Sequence, residues 1–121
     1  MFGKYSKELR IAQGISLREF CKAAQEDPSN WSKIERELMA PPTDHARLER
    51  IASVLGIPPD QNKDFVAKAE ISAGTIPQFV MTNEVLLSQL PAFLRTVDNV
   101  KPSEEDFRKI IEILSRGPDA E

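Results

Sequence analysis

The chain has 121 residues, a net charge of −3 at pH 7 and 40% hydrophobic residues, which is enough for one sizeable core or for one small domain with an ordered extension. One cysteine and no N-terminal apolar run after a basic start argue against a secreted, disulfide-linked protein. No segment has the ~18 consecutive apolar residues that a membrane-spanning helix requires, so we expect a globular protein of the cytoplasm.

Charge is distributed unevenly between the two halves of the chain, which we divide at the Pro58-Pro59 pair. Residues 1–57 hold nine Lys or Arg and eight Asp or Glu, a balance of +1, whereas residues 58–121 have a balance of −4. A polyanion such as a nucleic acid would therefore be expected to bind to the first half. A charge of +1 is nevertheless far from the strongly basic surface that is typical of DNA-binding domains.

The first predicted helix covers about residues 3–13 and ends at Gly14. Its apolar side consists of Tyr5, Leu9 and Ala12. A second helix begins after Ser16, because Ser16 and Glu19 have the spacing of a capping box, in which each side chain accepts a hydrogen bond from the backbone of the other residue. The residues expected to be buried on this helix are Leu17, Phe20, Cys21 and Ala24.

The third and fourth helices are also marked by their first residues and their apolar spacing. After a break at residues 25–27, Asp27 can cap a helix in which Pro28 takes the favoured first position. Trp31 and Ile34 form one apolar stripe on it, and we interpret Trp31 as a core residue. The predicted core positions of the fourth helix are Leu48, Ile51, Ala52 and Leu55.

Two short helices separated by three residues, with a longer helix before them and another after, have the spacing of a helix-turn-helix unit. The run "LRIAQGISLREFCKAAQEDPSNWSKIERE", followed by "LERIASVLGI", resembles the XRE-type helix-turn-helix family, which includes the lambdoid phage repressors. The resemblance covers residues 1–57. It implies an all-α protein with a phage repressor-like DNA-binding domain in residues 1–57 and a helical C-terminal extension in residues 58–121.

The resemblance also implies contacts between the third helix and the major groove of double-stranded DNA. Base contacts are expected from Ser29, Asn30 and Lys33, and Lys33 is the strongest candidate because an ammonium group can donate to O6 and N7 of guanine. Phosphate contacts are expected from Ser16, Leu17, Arg18 and Arg36. Arg10 and Glu35 match positions that form a buried ion pair in several phage repressors, and we interpret this pair as structural.

Several positions depart from the family pattern. The turn between the second and third helices lacks glycine, so Gln25 and Glu26 must form the bend without it. Glu26 and Asp27 are expected to place two negative charges on the DNA side. After the third helix, the chain has Glu37, Leu38, Met39 and Ala40 where many relatives have glycine and basic residues. We therefore expect modest affinity from one chain, and a dimer that binds half-sites ~34 Å apart.

Residues 58–121 are predicted to be helical as well. Asp60 opens a helix that Gly74 ends. Two short helices are expected next, the first capped by Asn83 and the second beginning at Pro91. Both carry many apolar residues, which another surface must cover.

The last predicted helix begins at Ser103, with Asp106 completing a capping-box variant, and ends at Gly117 and Pro118. The apolar residues of this half could complete a monomeric core. We favour a homodimer formed through residues 76–115, because a large apolar patch is rarely left exposed on a monomer. The residues assigned to dimerisation are Leu90, Phe93, Leu94, Phe107, Ile110, Ile111 and Leu114.

Catalytic and metal-binding patterns are not found. Cys21 is interpreted as a small buried residue, and the lone His45 as a helix-start residue rather than a metal ligand. The sequence contains no paired nucleophile and base and no glycine-rich phosphate loop. We expect no enzyme, no metal and no cofactor.

Taken with the resemblance, these features predict a sequence-specific transcriptional regulator, a repressor that binds a palindromic operator as a homodimer. Two alternatives stay open. The chain could be an antitoxin that binds a toxin through its C-terminal region and represses its own operon, which a neighbouring toxin gene would favour. It could also be a protein-interaction adaptor that has lost DNA binding, which failure to bind any duplex at low salt would favour.

Overall fold

The computed structural model describes residues 1–116, and the regular secondary structure in this range is entirely helical. The predicted all-α class is therefore confirmed for this part of the chain. The helices are α1 (Phe2–Ala12), α2 (Leu17–Ala24), α3 (Pro28–Glu35), α4 (His45–Val54), α5 (Asn62–Ser72), α6 (Gln78–Met81), α7 (Glu84–Val100) and α8 (Glu104–Arg116), and a 3₁₀ turn at Pro59–Gln61 precedes α5.

Contacts divide the chain into two compact units, Met1–Thr82 and a second that begins at Asn83. The first unit is longer than the predicted domain of residues 1–57, because α5 packs against both α1 and α4. The ring of Phe65 on α5 lies 5.2 Å from the ring of Phe2 on α1, measured between centroids. The fifth helix therefore belongs to the same core as the first four.

The core of the first unit consists of the apolar sides of α1 to α5. The residues predicted to be buried on α2, α3 and α4 are buried or pack against this core. Gly3 allows α1 to approach α3, since a Cβ atom at this position would lie 2.1 Å from the carbonyl oxygen of Ile34. Ala12, which was predicted on the apolar side of α1, is exposed.

Asn83 caps α7 as predicted, by accepting a hydrogen bond from the N–H of Leu86 at 3.0 Å. The predicted helix start at Pro91 is wrong, because Pro91 lies inside the single helix α7. Proline in a helix interior costs ~3 kcal/mol, since one backbone hydrogen bond is lost. Before Pro91 the helix has three leucines, and after it come Ala92, Leu94 and Arg95, all of them residues that favour helix.

Ser103 and Asp106 form the predicted capping box before and within α8. The Ser103 hydroxyl accepts from the N–H of Asp106 at 3.2 Å, and the Asp106 carboxylate accepts from the N–H of Ser103 at 3.0 Å. The predicted helix end at Gly117 and Pro118 lies outside the described residues. Neither α7 nor the described α8 contains a buried residue, so the apolar sides of both helices are at most partly covered.

Candidate nucleic-acid interface

Helix α3 begins where the sequence predicts and is oriented by its buried side. The carboxylate of Asp27 accepts from the N–H of Asn30 at 2.8 Å, and Pro28 occupies the first turn. Trp31 and Ile34 are buried, and the Trp31 ring lies 4.8 Å from the ring of Phe20 on α2. The cap determines where α3 starts, and the aromatic packing determines which side it turns away from the core.

The opposite side of α3 is exposed and polar. Ser29, Asn30, Lys33 and Arg36 are all exposed, and their spacing places them along one side of the helix. The three predicted base-contacting residues are thus brought together with one predicted phosphate contact. The hydroxyl, amide, ammonium and guanidinium groups of this face can all donate hydrogen bonds, and the hydroxyl and amide can also accept them.

Arg10 and Glu35 form the predicted ion pair between α1 and α3. Arg10 Nε donates to Glu35 Oε2 at 2.7 Å and Nη2 donates to Oε1 at 3.0 Å, with the two side chains only 11% and 5% exposed. Trp31 Nε1 also donates to Glu35 Oε2 at 3.0 Å, and Arg10 Nη1 donates to the Ile15 carbonyl at 3.0 Å. The hydrogen bond to Glu35 raises the pKa of Arg10. One carboxylate thus connects α1 to the end of α3.

The start of α2 holds the remaining predicted phosphate contacts. The capping box is complete, since Ser16 Oγ accepts from the N–H of Glu19 and Glu19 Oε1 accepts from the N–H of Ser16, both at 3.0 Å. The hydrogen bond from the Ser16 N–H and, secondarily, the Ser16 side chain lower the pKa of Glu19. The N–H groups of Leu17 and Arg18 lie in the first helical turn, where intrahelical acceptors are lacking. The Ser16 hydroxyl proton can still be donated, but the Glu19 carboxylate places a negative charge beside a phosphate position.

The expectation that Glu26 brings negative charge to the DNA side is wrong. Its side chain is 2% exposed and forms an ion pair with Arg47 of α4, whose Nε and Nη2 lie 2.8 and 2.5 Å from the two carboxylate oxygens. Arg50 Nε donates to the carbonyl oxygen of Ala24 at 2.8 Å. Sequence reasoning missed both arginines, because no local pattern relates them to a turn more than twenty residues away.

The segment after α3 is acidic and apolar, as the sequence indicates. Glu37 has a positive φ of 61° and accepts from the N–H of Lys4 at 3.4 Å, while Leu38, Met39 and Ala40 are exposed. No lysine or arginine follows Arg36 before Arg47. This segment therefore supplies no cationic group for a DNA backbone.

The residues assigned to dimerisation lie on α7 and α8 of the second unit. Leu90 and Ile110 are half-buried, while the others are exposed, namely Phe93, Leu94, Phe107, Ile111 and Leu114. Their spacing forms an apolar stripe on each helix.

Cys21 and His45 have side chains of the kinds that could take part in catalysis or metal binding, but their surroundings are those of structural residues. Burial raises the pKa of the Cys21 thiol to about 11, which keeps it protonated and unreactive. His45 is the first residue of α4, and its Nε2 lies 3.6 Å from Glu70 Oε2. Within residues 1–116, no group of three or more His, Cys, Asp or Glu side chains could hold a metal ion, and no helix has the length and apolarity to cross a membrane.

The predicted DNA-contacting residues lie at the start of α2 and on the exposed face of α3. The geometry of this face is determined by the Asp27 cap, the Trp31 packing and the Arg10–Glu35 ion pair. Comparison of the chain with family models, with curated proteins and with solved structures found no match.

Proposed function

We propose that the chain is a sequence-specific DNA-binding transcriptional regulator of the XRE-type helix-turn-helix kind, in which α2 and α3 are the two helices of the motif. It binds a palindromic operator as a homodimer in the cytoplasm and represses transcription by occupying a promoter. In this proposal α3 enters the major groove, whose width admits an α-helix. The start of α2 lies against the phosphate backbone.

The observation that carries this proposal is the exposed polar face of α3. Ser29, Asn30 and Lys33 are exposed on α3. The helix itself is capped by Asp27, packs through the buried Trp31 and is connected to α1 by the Arg10–Glu35 ion pair, which has two hydrogen bonds. Direct reading of bases requires a helix held in this way, because its donors and acceptors must match the base edges in position.

The burial of Glu26 removes one objection to DNA binding. Pairing with Arg47 neutralises this carboxylate, so that Asp27 and Glu19 are the acidic groups left at the starts of α3 and α2. The Asp27 carboxylate is already engaged as a helix cap. The charge opposing a phosphate backbone is therefore smaller than the sequence suggests.

The dimer is proposed to form through α7 and α8. Helices of this kind, with an apolar stripe and no buried residue, gain their stability by covering the stripe with another surface. A second copy of the same chain supplies an equivalent surface and brings a second α3 to the operator. The second copy also compensates for the missing basic residues after α3. Two weak half-site interactions in one dimer give a higher affinity than either alone.

The test is selection of bound duplexes from a random pool, followed by titration of the selected duplex against salt. The logarithm of the binding constant should fall against the logarithm of the salt concentration by about 0.9 for each phosphate neutralised. An inverted repeat with half-sites one helical turn apart and a steep salt dependence is the expected result. No enrichment, with weak binding even at low salt, would refute the proposal.

A further inference from the structure

The turn between α2 and α3 adopts an unusual backbone conformation without glycine. Gln25 has φ 58° and ψ 45°, the left-handed region that residues with a Cβ rarely occupy. The next N–H, of Glu26, donates to the Cys21 carbonyl oxygen at 2.9 Å. Because the turn residue itself does not favour this conformation, other contacts must hold it.

Two arginines one turn apart on α4 make those contacts. Arg47 binds both carboxylate oxygens of the nearly inaccessible Glu26, and Arg50 donates to the carbonyl of Ala24 at the end of α2. The N–H of Arg47 donates to the Asp44 carboxylate at 3.0 Å, so the start of α4 is itself capped. The turn is thereby attached to a helix that is part of the core.

The Arg47–Glu26 pair is matched by the Arg10–Glu35 pair at the other end of α3. Glu26 stands directly before the cap of α3, and Glu35 is its last residue. Each carboxylate receives two hydrogen bonds from one arginine, which gives both pairs a definite geometry. An arginine of α4 is thus paired with a carboxylate just before the start of α3, and an arginine of α1 with a carboxylate at its end. Neither pair includes a residue of the exposed face of α3.

We propose that Arg47 and Glu26 are positioning residues for the DNA-reading face of α3, and that their ion pair takes the role of a turn glycine by holding the angle between α2 and α3. This proposal rests on the proposed function. Arg47 acts through Glu26 rather than by touching DNA. Loss of the pair reduces the fraction of molecules with α3 in the binding orientation, and the apparent affinity falls in proportion to that fraction.

The test compares Arg47→Lys and Glu26→Gln with wild type, on the duplex selected as described above. Lysine keeps the charge but lacks the planar group that binds both carboxylate oxygens, and glutamine is nearly the same size as glutamate. We expect each variant to bind about tenfold more weakly, corresponding to a ~10% competent fraction, with an unchanged salt slope. Arg36→Ala should lower the slope by about 0.9, and Lys63→Ala on α5 is a control for loss of a distant charge.

Two outcomes on DNA would overturn the proposal. Full affinity in both variants would mean that the pair does not position α3. If Arg47→Ala reduced the salt slope by about 0.9 while Arg47→Lys restored both slope and affinity, Arg47 would be a phosphate contact instead.

Amide hydrogen exchange in the free protein tests the role of Arg47 and Glu26 without DNA. It can therefore distinguish failure of this proposal from failure of the proposed DNA binding. The N–H of Glu26 should exchange faster in Arg47→Lys than in wild type and in Lys63→Ala, because its bond to Cys21 depends on the turn. If wild type binds no duplex but this acceleration is seen, the positioning of α3 stands and only the DNA function fails. Unchanged exchange would overturn the positioning role whatever the DNA result.

Discussion

Neighbouring residues of α3 have opposite surroundings, and this contrast defines their roles. Asn30 and Lys33 face water, whereas Trp31, Ile34 and Glu35 between and beside them are buried. Trp31 therefore contributes packing with Phe20 and a hydrogen bond to Glu35, not a surface for stacking bases. The base contacts of the proposed function are therefore assigned to the exposed side alone.

Lys33→Ala should weaken binding to the selected duplex by about 1 to 3 kcal/mol, with the loss concentrated at one base position. The reason is that one side chain reads the edge of one base pair. Titration of the selected duplex and its single-base variants measures the effect. Arg36→Ala should instead weaken all these duplexes alike. Equal losses across every duplex for Lys33→Ala would contradict its base-reading role.

Arg10→Ala should lower the free energy of unfolding by about 3 to 5 kcal/mol, because Glu35 would be left buried without its cationic partner. Urea denaturation followed by the fluorescence of Trp31, the only tryptophan, measures this change. Lys7→Ala, at an exposed position of the same helix, should change stability by less than about 0.5 kcal/mol. A similar small effect for Arg10→Ala would show that the ion pair does not stabilise the first unit.

At the scale of helices and turns, the starts of α2, α3, α4 and α7 are each determined by a side chain that caps the first turn. Such caps act locally, and that is why their positions are readable from sequence. The turn at Gln25 is different, because this residue does not itself favour the left-handed backbone, and its neighbours Ala24 and Glu26 bind arginines of α4.

Gln25→Gly should raise the free energy of unfolding by up to about 1 kcal/mol, because glycine adopts the left-handed region without the steric cost that a Cβ incurs. Gln25→Ala is the matched control, since it removes the exposed side chain but keeps the Cβ, and no gain is expected from it. Urea denaturation of the three proteins gives the comparison. Equal stability of the alanine and glycine variants would mean that the turn carries no strain.

Glu19 links the stability of α2 to pH. Its pKa is lowered in the folded chain by hydrogen bonds from Ser16, so the ionised form stabilises the fold above the ordinary pKa of 4.5 and this contribution is lost as pH falls through the lowered value. Glu19→Gln keeps an acceptor for the Ser16 N–H but cannot ionise. Urea denaturation between pH 7 and pH 3 should show a smaller loss of stability on acidification in this variant than in wild type. An unchanged pH dependence would contradict the linkage.

At the scale of the whole molecule, the two units have different sources of stability. The first buries aromatic and aliphatic side chains from five helices, while α7 and the described α8 have no buried residue of their own. We therefore expect the apolar sides of the second unit to be covered by another chain.

Ile111→Asp should convert the proposed dimer to a monomer, because a carboxylate placed in an apolar interface would have to lose its hydration. Sedimentation equilibrium over a range of concentrations measures the mass. Ile11→Asp is a matched control, since Ile11 on α1 is exposed to a similar extent, 58% against 62% for Ile111. A wild-type mass that stays monomeric at all concentrations would exclude the dimer.

Sequence alone determined the features that depend on nearby residues. The four helices of residues 1–57, the Asp27 cap, the capping boxes at Ser16 and Ser103 and the apolar sides of α2 to α4 all follow from spacing within one or two turns. The Arg10–Glu35 pair came from the resemblance, and the structure joins these residues as expected.

Tertiary structure decided the features in which distant segments compete or combine. Pro91 had the local signal of a helix start, yet the helix continues through it. The extension of the first core to α5 depends on the meeting of Phe2 and Phe65. From the sequence, Glu26 is expected to be a free surface charge. In the structure, the packing of α4 beside α2 places Arg47 against it. Local spacing does not encode such pairings, because they form only when the apolar sides of separate helices are buried together.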